Sequence, residues 1–308
     1  MHNNALAILF ALASALTIAW GTVVRHRIAE EVPNDDDGGA PILTVITKPL
    51  WWAGTFCALG GYGLQVIALA FGTLLVVQPI LVLSLMFTLP LSARYDGRRV
   101  SLSEMTWAGL LTAAVAVLVI LGRPIPGNTH PSLMTWILAV VTGIVVLTAI
   151  DRFAYRQIRR EQALLLGVVT GAVFGYVAVF SKAAIDVFVQ DGIVGGLLAW
   201  QTYALIIGAT IGTAVQQSSF NAGALKNSLP AMTITEPIVA FSLGYIVLGE
   251  YFQVHGMGWV AMAIALVVMI VSTTVLSRKG VDSRRSISHN PSHAVSYTHL
   301  TLPTIYSV

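Results

Sequence analysis

Residues 49–93, PLWWAGTFCALGGYGLQVIALAFGTLLVVQPILVLSLMFTLPLSA, run for 45 positions without one Asp, Glu, Lys or Arg. Soluble domains carry roughly 25% of these residues, so an uncharged run of this length belongs in lipid. A helix crosses a hydrocarbon core of ~30 Å with about 20 residues, which makes the run too long for one span. The Phe71-Gly72-Thr73 break divides it, and the expected spans lie near 50–71 and 73–93. Helices are the expected form, because backbone amides in lipid must be satisfied within their own segment.

The rest of the chain agrees. Of its 308 residues, 56% are apolar and only 10% are charged. So few charges cannot cover a water-soluble surface, which excludes a soluble enzyme, a disordered chain and a nucleic-acid module. The net charge of +3 therefore says nothing about DNA. Cys57, the one cysteine, leaves no intrachain disulfide and no cysteine metal cluster. Further apolar stretches run from Ala5 to Val24 and near 106–122, 132–150, 163–181, 193–215, 229–249 and 256–277, giving nine expected spans in all. The first does not read as a signal peptide: no basic residue precedes it, and Arg25 and Arg27 follow it.

The basic residues set the expected orientation. With nine spans, 15 of the 17 Lys and Arg residues fall on one side, and only Arg123 and Lys182 on the other. Taking 50–93 as a single crossing lowers the split to 12 against 5. Positive residues favour the cytoplasm, so the reading is an integral cytoplasmic-membrane protein with its N-terminus outside and its C-terminus inside. The loop 25–48, with Glu30, Glu31 and Asp35-Asp36-Asp37, reads as a solvated segment, although adjacent aspartates also suit hard cations. The tail beyond Arg285 is polar and expected to be disordered. Its end, Ser296 to Thr304, reads as translated adapter sequence, and no function is attached to it.

Within the spans a motif recurs. Val76-Val77-Gln78-Pro79-Ile80-Leu81-Val82-Leu83-Ser84-Leu85 matches Ile234-Thr235-Glu236-Pro237-Ile238-Val239-Ala240-Phe241-Ser242-Leu243 at Pro, Ile, Ser and Leu. Upstream, Gln65 with Gly72 echoes Gln216 with Gly223. The expected organisation is an all-α membrane bundle of 4+1+4 spans: a first repeat over 1–122, a linking span and basic loop over 123–162, and a second repeat over 163–277, followed by the tail 278–308. Corresponding spans are five crossings apart, an odd number, so the second repeat enters the membrane upside down. Inverted repeats of this kind are common in secondary transporters, with the site at their interface near the midplane.

This organisation resembles the drug/metabolite transporter superfamily, whose EamA-like members are built from duplicated halves. Leu50-Trp51-Trp52-Ala53-Gly54 and Ala70-Phe71-Gly72-Thr73-Leu74-Leu75-Val76-Val77-Gln78-Pro79 look most like the NIPA-type magnesium transporter branch, which also has nine spans. The second copy, with Pro230, Glu236-Pro237 and the helix-ending Gly249-Glu250, is closer to the general metabolite-exporter pattern. The resemblance covers residues 5–277. Where the family commonly shows Thr-Pro or Glu-Pro in both halves, this chain has Gln78-Pro79 in the first.

Glu236 is the one charge expected deep in lipid, about 15 Å from Lys226 at the span edge. A carboxyl there normally faces a cavity or a partner, and its expected role is substrate or coupling-ion binding, with proton exchange as one form of coupling. Gln78 is its repeat partner, and Gln65 and Gln216 are further binding candidates. Pro79 and Pro237 are the expected helix-break elements, each freeing a backbone carbonyl in the preceding turn. Gln201, Gln217 and Asn221 complete an amide set that suits a neutral or zwitterionic solute. Lys182 and Asp186 read as a snorkelling pair at the rim, with an outer gate as the other reading, and Glu250 as an interface residue. Gly167, Gly171 and Gly175 form overlapping GxxxG patterns that let helices approach closely.

The expected function is a secondary transporter moving a small solute or metabolite by alternating access. A NIPA-like magnesium carrier and, in another class, a non-transporting membrane scaffold are the rival readings. No phosphate loop, HExxH or nucleophile-base spacing occurs, so neither an enzyme nor a bound cofactor is expected, and no metal is assigned. The expected partners are membrane lipid and a small molecule or ion, with no nucleic acid; a homodimer is compatible with the sequence.

Overall fold

The computed structural model describes residues 3–30, 49–95, 99–128, 131–222 and 225–288. The acidic loop around Asp35, Asp36 and Asp37 and the tail from residue 289 onward lie outside the described residues. The helices are α1 (Asn4–Glu30), α2 (Pro49–Phe71), α3 (Leu74–Val82), α4 (Ser84–Tyr95), α5 (Leu102–Ile120), α6 (Leu133–Ala154), α7 (Arg159–Leu198), α8 (Trp200–Ala222), α9 (Leu225–Ile246) and α10 (Gly258–Ser288). The strands β1 (Pro124–Ile125) and β2 (Tyr251–Phe252) form one short antiparallel pair. The fold is all-α, as expected.

Eight spans among the described residues are long and apolar enough to cross a membrane, α3 and α4 together making one of them. The chain is thus a helical integral membrane protein. The uncharged stretch divides where Gly72 and Thr73 predict, between Phe71 and Leu74. The expected ninth span, near 193–215, is shifted and less apolar. Residues 193–198 close α7 beyond a kink at Gly192, whose φ is 74°, and α8 follows them. Gln201, Thr202, Gln216 and Gln217 keep α8 outside the group of strongly apolar spans.

Lipid tails are as apolar as the helices, so close packing rather than water exclusion holds such a bundle together. In α1, Ala7, Ala11, Ala15 and Ala19 recur every four residues and are buried. Ser14 Oγ donates to Gly61 O of α2 at 2.7 Å. On α7, Gly167 abuts Ser228, Gly171 abuts Met232 and Thr235, and Gly175 abuts Val239, all on α9. A Cβ on any of the three would collide with α9 backbone or side chains. α7 also packs along α8, α5 along α10, and α3 along α9.

α6 is the peripheral span. Trp136 stacks on Phe180 with ring centres 5.3 Å apart and meets Trp200 edge-on at 5.2 Å. Tyr176 donates to Ala139 O at 2.7 Å. Beyond these ties, Ile137, Val141, Ile144 and Val145 are exposed to the surrounding lipid.

The loops tie one end of the bundle shut. Asn3 N donates to Phe71 O at 3.0 Å, Gln253 N to Gly122 O at 3.0 Å and Asn128 N to Leu248 O at 2.6 Å, and the β1–β2 pair lies among them.

Candidate functional site

α9 is built around its lone carboxylate. Leu229 and Thr233 line a cavity, and Gly244, one stripe further on, meets Leu74 of α3. Positions 229, 233, 236, 240 and 244 follow each other at three- and four-residue steps, so they share one helix face. Glu236 sits at the middle of α9, half-buried, one turn beyond Thr233, with its backbone N and O beside Gly171 and Gly175 of α7. No hydrogen bond or ion pair ties its carboxylate to a described residue.

The cavity, of about 180 Å³, lies between α1, α4, α9 and α10. Thr22, Ser84, Thr88, Thr233 and Ser277 supply its hydroxyls, and Leu85, Leu89 and Leu276 its apolar wall. Thr22, Thr88 and Thr233 each donate to the carbonyl one turn back, at 2.7–2.8 Å. Their oxygens therefore meet the cavity as acceptors. The cavity lies toward the end of the bundle opposite the loops.

Gln78 is buried on α3, and its Nε2 has no partner. Leu74 lies opposite Gly244, and the two helices run antiparallel. That register sets Gln78 near Ala240, about one helical turn, ~5 Å along the axis, from Glu236. The two expected partners thus share the α3–α9 contact. Ser272, Thr273 and Ser277 of α10 are likewise buried with unpaired hydroxyls. Buried polar atoms of this kind are few in most proteins; among the described residues the others are Thr73 Oγ1, just ahead of α3, and Trp136 Nε1 on α6, and of the whole set Ser277 lines the cavity.

The prolines act unequally. α3 ends at Val82, three residues beyond Pro79, and Leu83 separates it from α4. α9 continues unbroken through Pro230 and Pro237. Pro237 removes one backbone hydrogen bond, that to the Thr233 carbonyl, without ending its helix.

The other amide candidates lie apart from this site. Gln65 shares the 61–65–68–72 stripe of α2, which packs on α1 through Gly61 and Gly72. Gln216 Nε2 donates to Met232 Sδ at 3.3 Å, bridging α8 and α9. Both sit between neighbouring helices. The Asn221 side chain lies outside those described.

A second polar cluster was not legible in the sequence. Lys182 is only 3% exposed, which overturns the snorkelling expectation. Its Nζ donates to Leu69 O of α2 at 2.9 Å and to Asp186 Oδ1 at 2.8 Å. Glu250 is buried at 1% exposure. Its two carboxylate oxygens accept from Leu74 N at 3.1 Å and Leu75 N at 3.2 Å, capping the start of α3. A carboxylate at a helix N-terminus meets both unpaired N–H groups and the positive end of the helix dipole. Gly249, at φ 68°, turns the chain out of α9 so that Glu250 N bonds back to Gly244 O at 3.0 Å. A β-carbon would strain that left-handed conformation. Lys182, Asp186 and Glu250 share a small cavity with Asn128 and Leu248, directly beneath the closed end.

Among the described residues, no three of His, Cys, Asp and Glu come together as metal ligands. Fold and site together define a polytopic α-helical membrane protein with a mainly apolar cavity that carries several hydroxyls. The chain is similar to an uncharacterized protein of Corynebacterium glutamicum, 60% identical over 279 residues that span 90% of this chain and 96% of that one. It belongs to the same family as that protein. No protein-family model and no solved structure matches the chain.

Proposed function

We propose that the chain is a secondary transporter of the drug/metabolite type, carrying a small solute across the cytoplasmic membrane by alternating access between two inverted halves. The observations that carry this reading are the cavity between α1 and α4 on one side and α9 and α10 on the other, and, in the middle of α9, the Glu236 carboxylate without a partner among the described residues. An intramembrane carboxylate costs about 2.5–3.5 kcal/mol on insertion scales. A scaffold has no use for that cost, whereas a carrier uses the group to bind a solute or a coupling ion. The orphaned Gln78 amide on the facing helix supports the same reading.

Helix pairing supports the duplication. α1 lies along α2 as α7 lies along α8, while α3 meets α9 and α5 meets α10 across the two halves. An inverted repeat yields these relations with its pseudo-axis between α3 and α9. With the N-terminus outside, as the Lys and Arg distribution favours, the closed end faces outward and the cavity lies on the cytoplasmic side. The molecule is then in its inward-facing state, and Glu250 and Lys182 help to hold the outer end closed.

The test is flux in vesicles reconstituted with the full chain, using a panel of small neutral, zwitterionic and charged solutes. At least one solute should move, and Glu236→Gln should abolish that movement while the variant remains monodisperse. Undiminished flux in Glu236→Gln removes the residue from the mechanism. A magnesium carrier needs several hard oxygen ligands, and magnesium uptake in the same vesicles separates it from the metabolite reading.

A further inference from the structure

An open-sided wedge of about 650 Å³ separates α6 from α7 and α8. It falls within the roughly 300–1,000 Å³ of a typical small-molecule pocket, and its polarity is graded along its length. α7 and α8 contribute Val169, Val173, Phe180, Ile207 and Ile211, all apolar, and Tyr176, whose hydroxyl is already committed to Ala139 O. α6 contributes Val140, Gly143, Ile144 and Leu147, and then, within five positions, Thr148, Asp151 and Arg152. From Val140 to Arg152 the helix rises about 18 Å, close to one leaflet's share of a hydrocarbon core ~30 Å thick. Hydrocarbon over one leaflet's depth, ending in a polar group, is the outline of an amphiphile.

The wedge lies between two ties of α6 to α7. At one end Trp136, Ala139 and Gly143 meet the aromatic residues of α7, at the other the short turn after the buried Ala154 leads into α7, and the wedge opens between them. Water gains nothing against such walls. The bilayer, by contrast, supplies acyl chains at this depth. Charge then selects the headgroup. Arg152, Arg156 and Arg159 gather at the α6–α7 turn against Asp151 and Glu161, leaving a net positive end. The start of α7 adds the positive end of a helix dipole.

We propose that the wedge between α6, α7 and α8 is a binding site for one anionic phospholipid, its acyl chain along Val140–Leu147 and its phosphate at Arg152. On the positive-inside orientation, the lipid belongs to the cytoplasmic leaflet. Arg152 provides a charge-assisted, forked contact to the phosphate. The bound lipid fills the gap along the middle of α6. This site is independent of the Glu236 cavity and of the transport reading.

The experiment uses the purified full chain in mixed micelles containing either phosphatidylglycerol or phosphatidylcholine of equal chain length. Lipid retained after detergent washing is counted by native mass spectrometry, and the thermal midpoint is recorded. The wild-type chain should retain one phosphatidylglycerol in preference to phosphatidylcholine, with a higher midpoint. Arg152→Gln, at an exposed helix end, should reduce that preference about fivefold, the worth of one basic residue at an anionic surface. Ile207→Trp, which fills the wedge, should lower retention of both lipids. Equal retention of the two lipids by the wild type, or a preference unchanged in Arg152→Gln, overturns the proposal. So does a lipid-free dimer sealed through α6.

Discussion

Lys182 and Asp186 stand four residues apart, the spacing of a surface ion pair, yet Lys182 is buried and reaches across to the Leu69 carbonyl of α2. Glu250, 68 positions further along the chain, caps α3 within the same small cavity. Removing one member of a buried charged group leaves the others uncompensated. Lys182→Met keeps much of the stem and loses the ammonium, and should cost about 3–5 kcal/mol of stability, read from thermal or denaturant unfolding in detergent. A loss below about 1 kcal/mol, the value of an exposed pair, contradicts this account of the cluster. Glu236 and Gln78 were legible in the sequence because a polar residue before a proline stands out in an apolar helix. Glu250 was not, because its partners are backbone N–H groups 175 and 176 positions away. Chain-local spacing carries no trace of such a contact, and Gly249-Glu250 reads simply as a helix end.

Among the elements, the long uncharged stretch and its break at Gly72-Thr73 followed from length and from glycine. The interruption at Leu83 did not, since Pro79 alone permits either a kink or a break, and α9 passes through Pro237 intact. The division between α7 and α8 was displaced because α7 carries Lys182, Asp186, Gln190 and Asp191 within the helix and continues past the bend at Gly192 to Leu198, so its polar stretch does not mark the boundary. The GxxxG series on α7, in contrast, identified a real contact. Gly171 meets the Met232 carbonyl and Thr235, so Gly171→Leu should force α7 and α9 apart and cost at least about 1–3 kcal/mol. Gly60 of α2 has open space around it, and Gly60→Ala should instead be neutral or stabilising by up to ~1 kcal/mol. Thermal midpoints of the two variants check the contrast; a similar loss in both would contradict the packing described for α7 and α9.

For the molecule as a whole, the two ends differ. Backbone hydrogen bonds and the β1–β2 pair join the loops at one end, with the Lys182–Asp186–Glu250 cluster below them. Toward the other end a cavity of about 180 Å³ lies between α1, α4, α9 and α10. A carrier alternates between two such arrangements, whereas a pore is open to both sides at once. Counterflow separates these behaviours: vesicles holding the full chain are loaded with an excess of a solute that the flux panel identifies, then exposed to a trace of the labelled form. The account predicts that the label transiently accumulates above its external concentration. Label that merely equilibrates, as through a pore, would contradict it.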